Sequence, residues 1–135
     1  MSTFQQKVAI SASSALLFAV INLAQVYKLT DQLLPFDTVN KNGCPTASGK
    51  IVHALVFFLI TLLSMGNPAK DTAMKIRHSL YATLIFYALS SRAMFQTTAR
   101  LVSSDIANQA GCPTLMGVVL HAVVYFLAVL GVMYL

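Results

Sequence analysis

Residues 37–65 read DTVNKNGCPTASGKIVHALVFFLITLLSM, and residues 105–133 read DIANQAGCPTLMGVVLHAVVYFLAVLGVM. At a constant offset of 68 residues, 14 of these 29 positions are identical. Both copies follow DxxNxxGCPTxxGxxxHAxVxFL, so the chain is a duplicated unit whose architecture is two like halves. In each copy turn-forming residues give way to an apolar run, which predicts a loop leading into a helix.

A chain of 135 residues holds one domain, so the halves 1–68 and 69–135 are half-domains. The composition is 57% hydrophobic and 10% charged, and the mean hydropathy is +0.72. Soluble domains carry roughly 25% charged residues, so an integral membrane protein is expected. The 9 Lys and Arg exceed the 4 Asp and Glu, giving a net charge of +5 confined to short polar segments. Such segments suit anionic headgroups of a lipid bilayer, and no nucleic-acid partner is expected.

Residues 8–27 are free of charge between Lys7 and Lys28. This is the length of a membrane span. Asn22 would stand three residues before a cut after Ala24, so the segment reads as a retained span and not a cleaved leader. The second span is expected at about 45–65, with Pro45 in the first turn of its helix and Gly66, Asn67 and Pro68 ending it. The third, 76–95, is placed by the duplication, because Ser11, Leu16 and Phe18 recur as Ser79, Leu84 and Phe86. The fourth is 113–135. Only 5 of the 27 positions in 10–36 match their mates, so the first helix of each unit has diverged further than the second.

The expected fold is therefore all-α: an integral membrane four-helix bundle of two parallel two-helix repeats. Such repeats are related by an axis along the membrane normal and show both motif loops on one side. Four Lys and Arg fall on the terminal side (Lys7, Lys70, Lys75, Arg77) and five on the motif side (Lys28, Lys41, Lys50, Arg92, Arg100). The positive-inside rule therefore does not orient the chain.

On a helix, Thr46, Gly49 and His53 share one stripe, as do Thr114, Gly117 and His121. A small, polar stripe is what membrane helices show each other, so these six residues are expected to pack the second span against the fourth, with the two histidines facing. An intramembrane histidine needs a partner or a watery cavity. A neutral imidazole bonded to a carbonyl or hydroxyl of a neighbouring helix is the simpler expectation, because no span contains an Asp or Glu to complete a proton relay.

Cys44 and Cys112, with the histidines, invite a metal site. The nine residues from Cys44 to His53 extend about 13 Å along a helix, whereas zinc ligands converge to about 2.3 Å. No metal, cofactor or catalytic residue is expected, and the chain is not read as an enzyme. A disulfide between Cys44 and Cys112 is open to the fold if their Cα atoms approach within about 7 Å; two buried thiols are the default. Asp37, Asn40, Gly43 and Cys44, with Asp105, Asn108, Gly111 and Cys112, form the loops expected to contact a partner. The DxxN pair is also expected to cap and fasten each loop through its side chains.

Two NGCPT-like loops leading into HALVFF-like helices in a small, internally duplicated chain resemble the multi-span membrane proteins of large double-stranded DNA viruses of algae and protists. The resemblance implies a structural protein of the virion inner membrane beneath the capsid, linking bilayer to capsid or scaffold proteins. A homo- or hetero-oligomer in the membrane is compatible with it. The alternative expectation is a small transporter or channel with a site near His53 and His121.

Overall fold

The computed structural model describes residues 4–40, 44–64, 72–107 and 112–134. Among them the chain is all-helical: α1 (Phe4–Ile21), α2 (Ala24–Leu33), α3 (Ala47–Ser64), α4 (Thr72–Ser90), α5 (Arg92–Leu101) and α6 (Leu115–Val132), with a single 3-10 turn at Ser104–Ile106. Helices α1, α3 and α6 are each 18 residues, long and apolar enough by length and composition to cross a membrane. At about 1.5 Å per residue such a helix covers roughly 27 Å, close to the thickness of the hydrocarbon layer. The chain is a membrane protein on that ground. The fourth long helix, α4, has 19 residues but opens on TAMKIRH, whose Lys75, Arg77 and His78 keep it out of that set.

The expected spans 8–27 and 76–95 are each broken. The first helix stops at Ile21 and restarts at Ala24; its counterpart stops at Ser90 and restarts at Arg92. The cause is local competition for backbone groups. The Asn22 side-chain amide donates to the Phe18 carbonyl at 2.9 Å, and Leu23 N–H turns to Val20 in a tight i to i−3 bond. In the second half Ser91 N–H does the same toward Ala88. The restarted helices α2 and α5 are amphipathic, carry Lys28, Asp31, Arg92 and Arg100, and at 10 residues are too short to span.

The second helix of each unit begins two residues later than expected. Pro45 and Pro113 precede the helix, in isolated bridges to Val39 and Ala107. Thr46 and Thr114 provide the caps, each accepting from the glycine N–H three residues on at 3.1 Å.

Four aromatic rings make the centre. Phe18 stacks on Tyr125 (5.0 Å) and Phe57 on Phe86 (4.4 Å), while Phe18 meets Phe86 edge-on (5.4 Å) and Phe57 meets Tyr125 edge-on (5.9 Å). Phe86 and Tyr125 stand 68 positions after Phe18 and Phe57, so the quartet follows the duplication. All four rings are buried. Such pairs contribute about 0.5–1.5 kcal/mol each beyond the area they bury.

Around this quartet α1 packs mainly along α6, and α3 along α4. Each unit's first helix therefore lies against the other unit's second. The expectation that α3 and α6 meet along their small-residue stripes is corrected: they stand diagonally and reach each other through Phe57 and Tyr125. Those stripes turn instead toward the loop and broken helix of their own unit.

Candidate functional site

The break in each first helix leaves a carbonyl without its helical donor. In a continuous helix the Ile21 carbonyl would accept from Gln25; here His53 Nδ1 donates to it at 2.9 Å. In the second half His121 Nδ1 donates to the Leu89 carbonyl at 2.8 Å. A carbonyl only accepts, so Nδ1 carries the proton in both rings. Low-dielectric surroundings make an unsatisfied carbonyl costly, and each histidine removes that cost where a span ends.

The other ring nitrogen is also engaged. Nε2 of His53 lies 3.0 Å from Thr30 Oγ1, and Nε2 of His121 lies 3.0 Å from Thr98 Oγ1. A neutral ring accepts there, so the threonine hydroxyl donates to it. The same hydroxyls lie 2.9 Å from the Val26 carbonyl and 2.8 Å from the Met94 carbonyl, and one proton cannot serve both fully. Each imidazole is stacked on one face as well: Tyr27 on His53 at 3.7 Å and Phe95 on His121 at 3.9 Å. Both histidines are 2% exposed. They do not face each other; each pins the second helix of its unit to the break in the first.

The motif loops are built by the same residues. Thr46 N–H donates to the Thr38 carbonyl (3.0 Å) and Thr46 Oγ1 to the Asp37 carbonyl (2.8 Å). Thr114 repeats both bonds, to the carbonyls of Ile106 and Asp105. Asn40 closes the turn in the first copy: its N–H donates to the Cys44 carbonyl at 2.8 Å, and its Oδ1 accepts from Cys44 N–H at 3.1 Å. Gly49 and Gly117 let the loop lie on the helix, because a Cβ built at either would overlap the carbonyl oxygen of Thr38 or Ile106. Thr46, Gly49, Thr114 and Gly117 thus serve loop seating, where helix-to-helix packing was expected.

Cys44 and Cys112 are joined by a disulfide with a Cα–Cα distance of 5.0 Å. Both are buried, so they fasten one loop to the other and offer nothing to a partner. Asp37 and Asp105 fasten their loops through backbone carbonyls, whereas side-chain caps were expected; both residues are exposed. Gly43, Asn108 and Gly111 lie outside the described residues.

Sequence reasoning missed Thr30 and Thr98, the hydroxyls on the histidine rings. The signal was present, since Thr30 and Thr98 form one of the five identical pairs in the diverged segment. It missed Asp31 too, whose Oδ1 accepts from Thr38 N–H at 2.8 Å. The duplication gives no hint of that bond, because Ala99 stands at the matching position.

A crevice of about 580 Å³ lies beside this construction, between the helix break with the first turn of α2 (Asn22, Ala24, Gln25, Tyr27) and the cap and first residue of α6 (Thr114, Leu115). No family model, curated protein or solved structure matches the chain.

Proposed function

We propose that the protein is a non-enzymatic structural membrane protein: a four-helix transmembrane bundle of two parallel repeats, α1 with α3 and α4 with α6, that displays two fastened loops on one membrane face. In this reading α4 also spans, with Lys75 and Arg77 at its end reaching the headgroups, and α2 and α5 lie at the interface. The observation that carries it is the use made of the repeated residues. Histidine, threonine, asparagine, glycine and cysteine of the motif are spent on holding loop to helix and loop to loop, and the exposed Asp37 and Asp105 remain to face a partner.

The disulfide supports an orientation that the lysines and arginines leave open. Disulfides persist in oxidising compartments, so the loop face is the one away from the reducing cytosol. Two carboxylates held on a rigid mount suit a basic or donor-rich protein surface. On the resemblance noted above, that partner would be a capsid or other scaffold protein, met on an oxidising face at a virion inner membrane.

The test is a photo-cross-linker at exposed Phe36, beside Asp37, in native membranes. A defined protein adduct is expected, and it should disappear when Asp37→Asn and Asp105→Asn are combined. No adduct, together with solute flux through the purified protein in proteoliposomes, would replace the scaffold reading with the transporter one.

A further inference from the structure

The halves part company where the second helix of one unit meets the break in the first helix of the other. At the start of α6 and the break after α1, Val118 and Ala24 line the 580 Å³ crevice. At the start of α3 and the break after α4, the residues 68 positions away from these two are Lys50 and Arg92. One junction is apolar, and the other carries two cations.

The packing of α3 on α4 brings those cations together. Phe57 stacks on Phe86 at 4.4 Å and fixes the register of the two helices. Lys50 stands seven residues before Phe57, two turns along the same stripe, so its side chain leaves α3 on the face turned toward α4. Arg92 opens α5 just beyond the end of α4, and the charge of its guanidinium acts on the Lys50 ammonium. A second, independent observation concerns Lys50 itself. It is half-buried, and among the described residues its ammonium has no hydrogen-bond or ion-pair partner. Like charges side by side at the edge of the hydrocarbon are costly unless an anion lies between them. The other junction shows that the same fold closes with Val118 and Ala24, so packing does not require either cation.

We infer that Lys50 and Arg92 together bind the phosphate of an anionic phospholipid at the junction of α3 with α4 and α5. The depth fits, because Lys50 is the fourth residue of a helix long enough to span and therefore stands at the headgroup level. A guanidinium grips two phosphate oxygens through its planar fork, and an ammonium adds a point charge. The choline of a zwitterionic lipid brings its own cation to the phosphate, so a site made of two cations favours the anionic headgroup.

The experiment uses the full chain in nanodiscs of mixed phosphatidylglycerol and phosphatidylcholine, with retained lipid read by native mass spectrometry after release into detergent. Wild type should retain phosphatidylglycerol. Lys50→Val and Arg92→Ala, which import the residues of the other junction, should each lower that retention about tenfold, and the double variant should abolish it. Lys50→Arg keeps the charge and should preserve retention. Lys28→Gln removes an exposed cation from the same face and matches Gln96, and it should leave retention unchanged. The intact Cys44–Cys112 bond on a non-reducing gel confirms folding of each variant. In phosphatidylcholine alone the double variant should melt no lower than wild type, since it relieves a like-charge pair. A lower melting temperature there would assign the pair a structural role and overturn the inference. Undiminished retention in the double variant, an equal loss in Lys28→Gln, or equal retention of phosphatidylcholine would overturn it too. A Lys50-dependent rise in melting temperature with inorganic phosphate alone, without lipid retention, would overturn the lipid assignment in favour of free phosphate.

Discussion

The two halves hold the same loop geometry with opposite chemistry. In the first, Thr38 is buried and polar: its N–H donates to Asp31 Oδ1 and its hydroxyl to the Tyr27 carbonyl at 3.1 Å. In the second, Ile106 occupies the matching place and packs with Phe95 and Val118 in an apolar cluster. Yet the carbonyls of both residues accept from a motif threonine N–H at 3.0 Å, and both lie against a motif glycine. The backbone contacts are therefore what the duplication kept. The side chains beneath them were free to trade one consistent set of partners for another, provided that they changed together.

The largest effect should come from cutting the disulfide crosslink between the two loops. Cys44→Ser opens a crosslink across 68 positions. Loop-closure entropy alone assigns such a bond about 4 kcal/mol, and less when the unfolded chain is still held in a bilayer. The expected outcome is a loss of about 2–4 kcal/mol, read as a lowered melting temperature in detergent that reductant reproduces in wild type. If reductant leaves the melting temperature unchanged, the loops are held by their hydrogen bonds alone.

Next come the histidines, where the halves should behave alike. His53→Ala strands the Ile21 carbonyl and His121→Ala the Leu89 carbonyl, and each removes a stacked ring. A stranded buried carbonyl costs about 1–3 kcal/mol, and the cavity adds to it. Losses of about 3 kcal/mol are expected in both variants, equal within error by thermal or denaturant unfolding in micelles. A loss in only one would show that the two clamps carry unequal load.

At the loop the halves should differ. Asp31→Ala leaves Thr38 N–H without its charged acceptor and should cost about 1–2 kcal/mol, whereas the second half already has alanine there. Combining Asp31→Ala with Thr38→Ile imports the second half's pair. The double variant should be more stable than the sum of the singles by at least about 0.5 kcal/mol, the signature of coupled neighbours in a double-mutant cycle. Additive losses would mean that Thr38 and Asp31 act independently.

What could be read from the sequence follows the same division. Conserved spacing within the chain located the loop and the second helix of each unit to within two residues, because those positions are constrained by backbone contacts and so recur. The interruption after Ile21 was hidden, since residues 8–27 form one charge-free run in which hydropathy gives Asn22 no special weight. The histidine's acceptor was hidden for a different reason: any residue has a carbonyl, so Ile21 and Leu89 carry no signature of their role. The crossed packing of α1 on α6 and α3 on α4 depends on the shape of the aromatic quartet, which a stripe of small residues does not report. Asp31 and Tyr27 belong to one half only, where comparing the copies is silent.

The smallest effect tests the comparison in the core. Tyr125 stands where the first half has Phe57, and its hydroxyl lies 2.6 Å from Ser14 Oγ; the residue matching Ser14 is Ala82. Hydroxyl and partner are present together in one pair and absent together in the other. Interhelical hydrogen bonds in membranes average about 0.6 kcal/mol, so Ser14→Ala should cost about that much, with a further small cost from the phenol it strands. Tyr125→Phe alone leaves a serine that can turn to its own helix backbone, so it should cost less than Ser14→Ala. The double variant reproduces Ala82 with Phe57, a pair that already packs around the quartet. It should lie within about 0.5 kcal/mol of wild type on a cycle of four melting curves. A double variant as unstable as Ser14→Ala would mean that the two halves of the core are not interchangeable, and that the hydroxyl pair does more than satisfy itself.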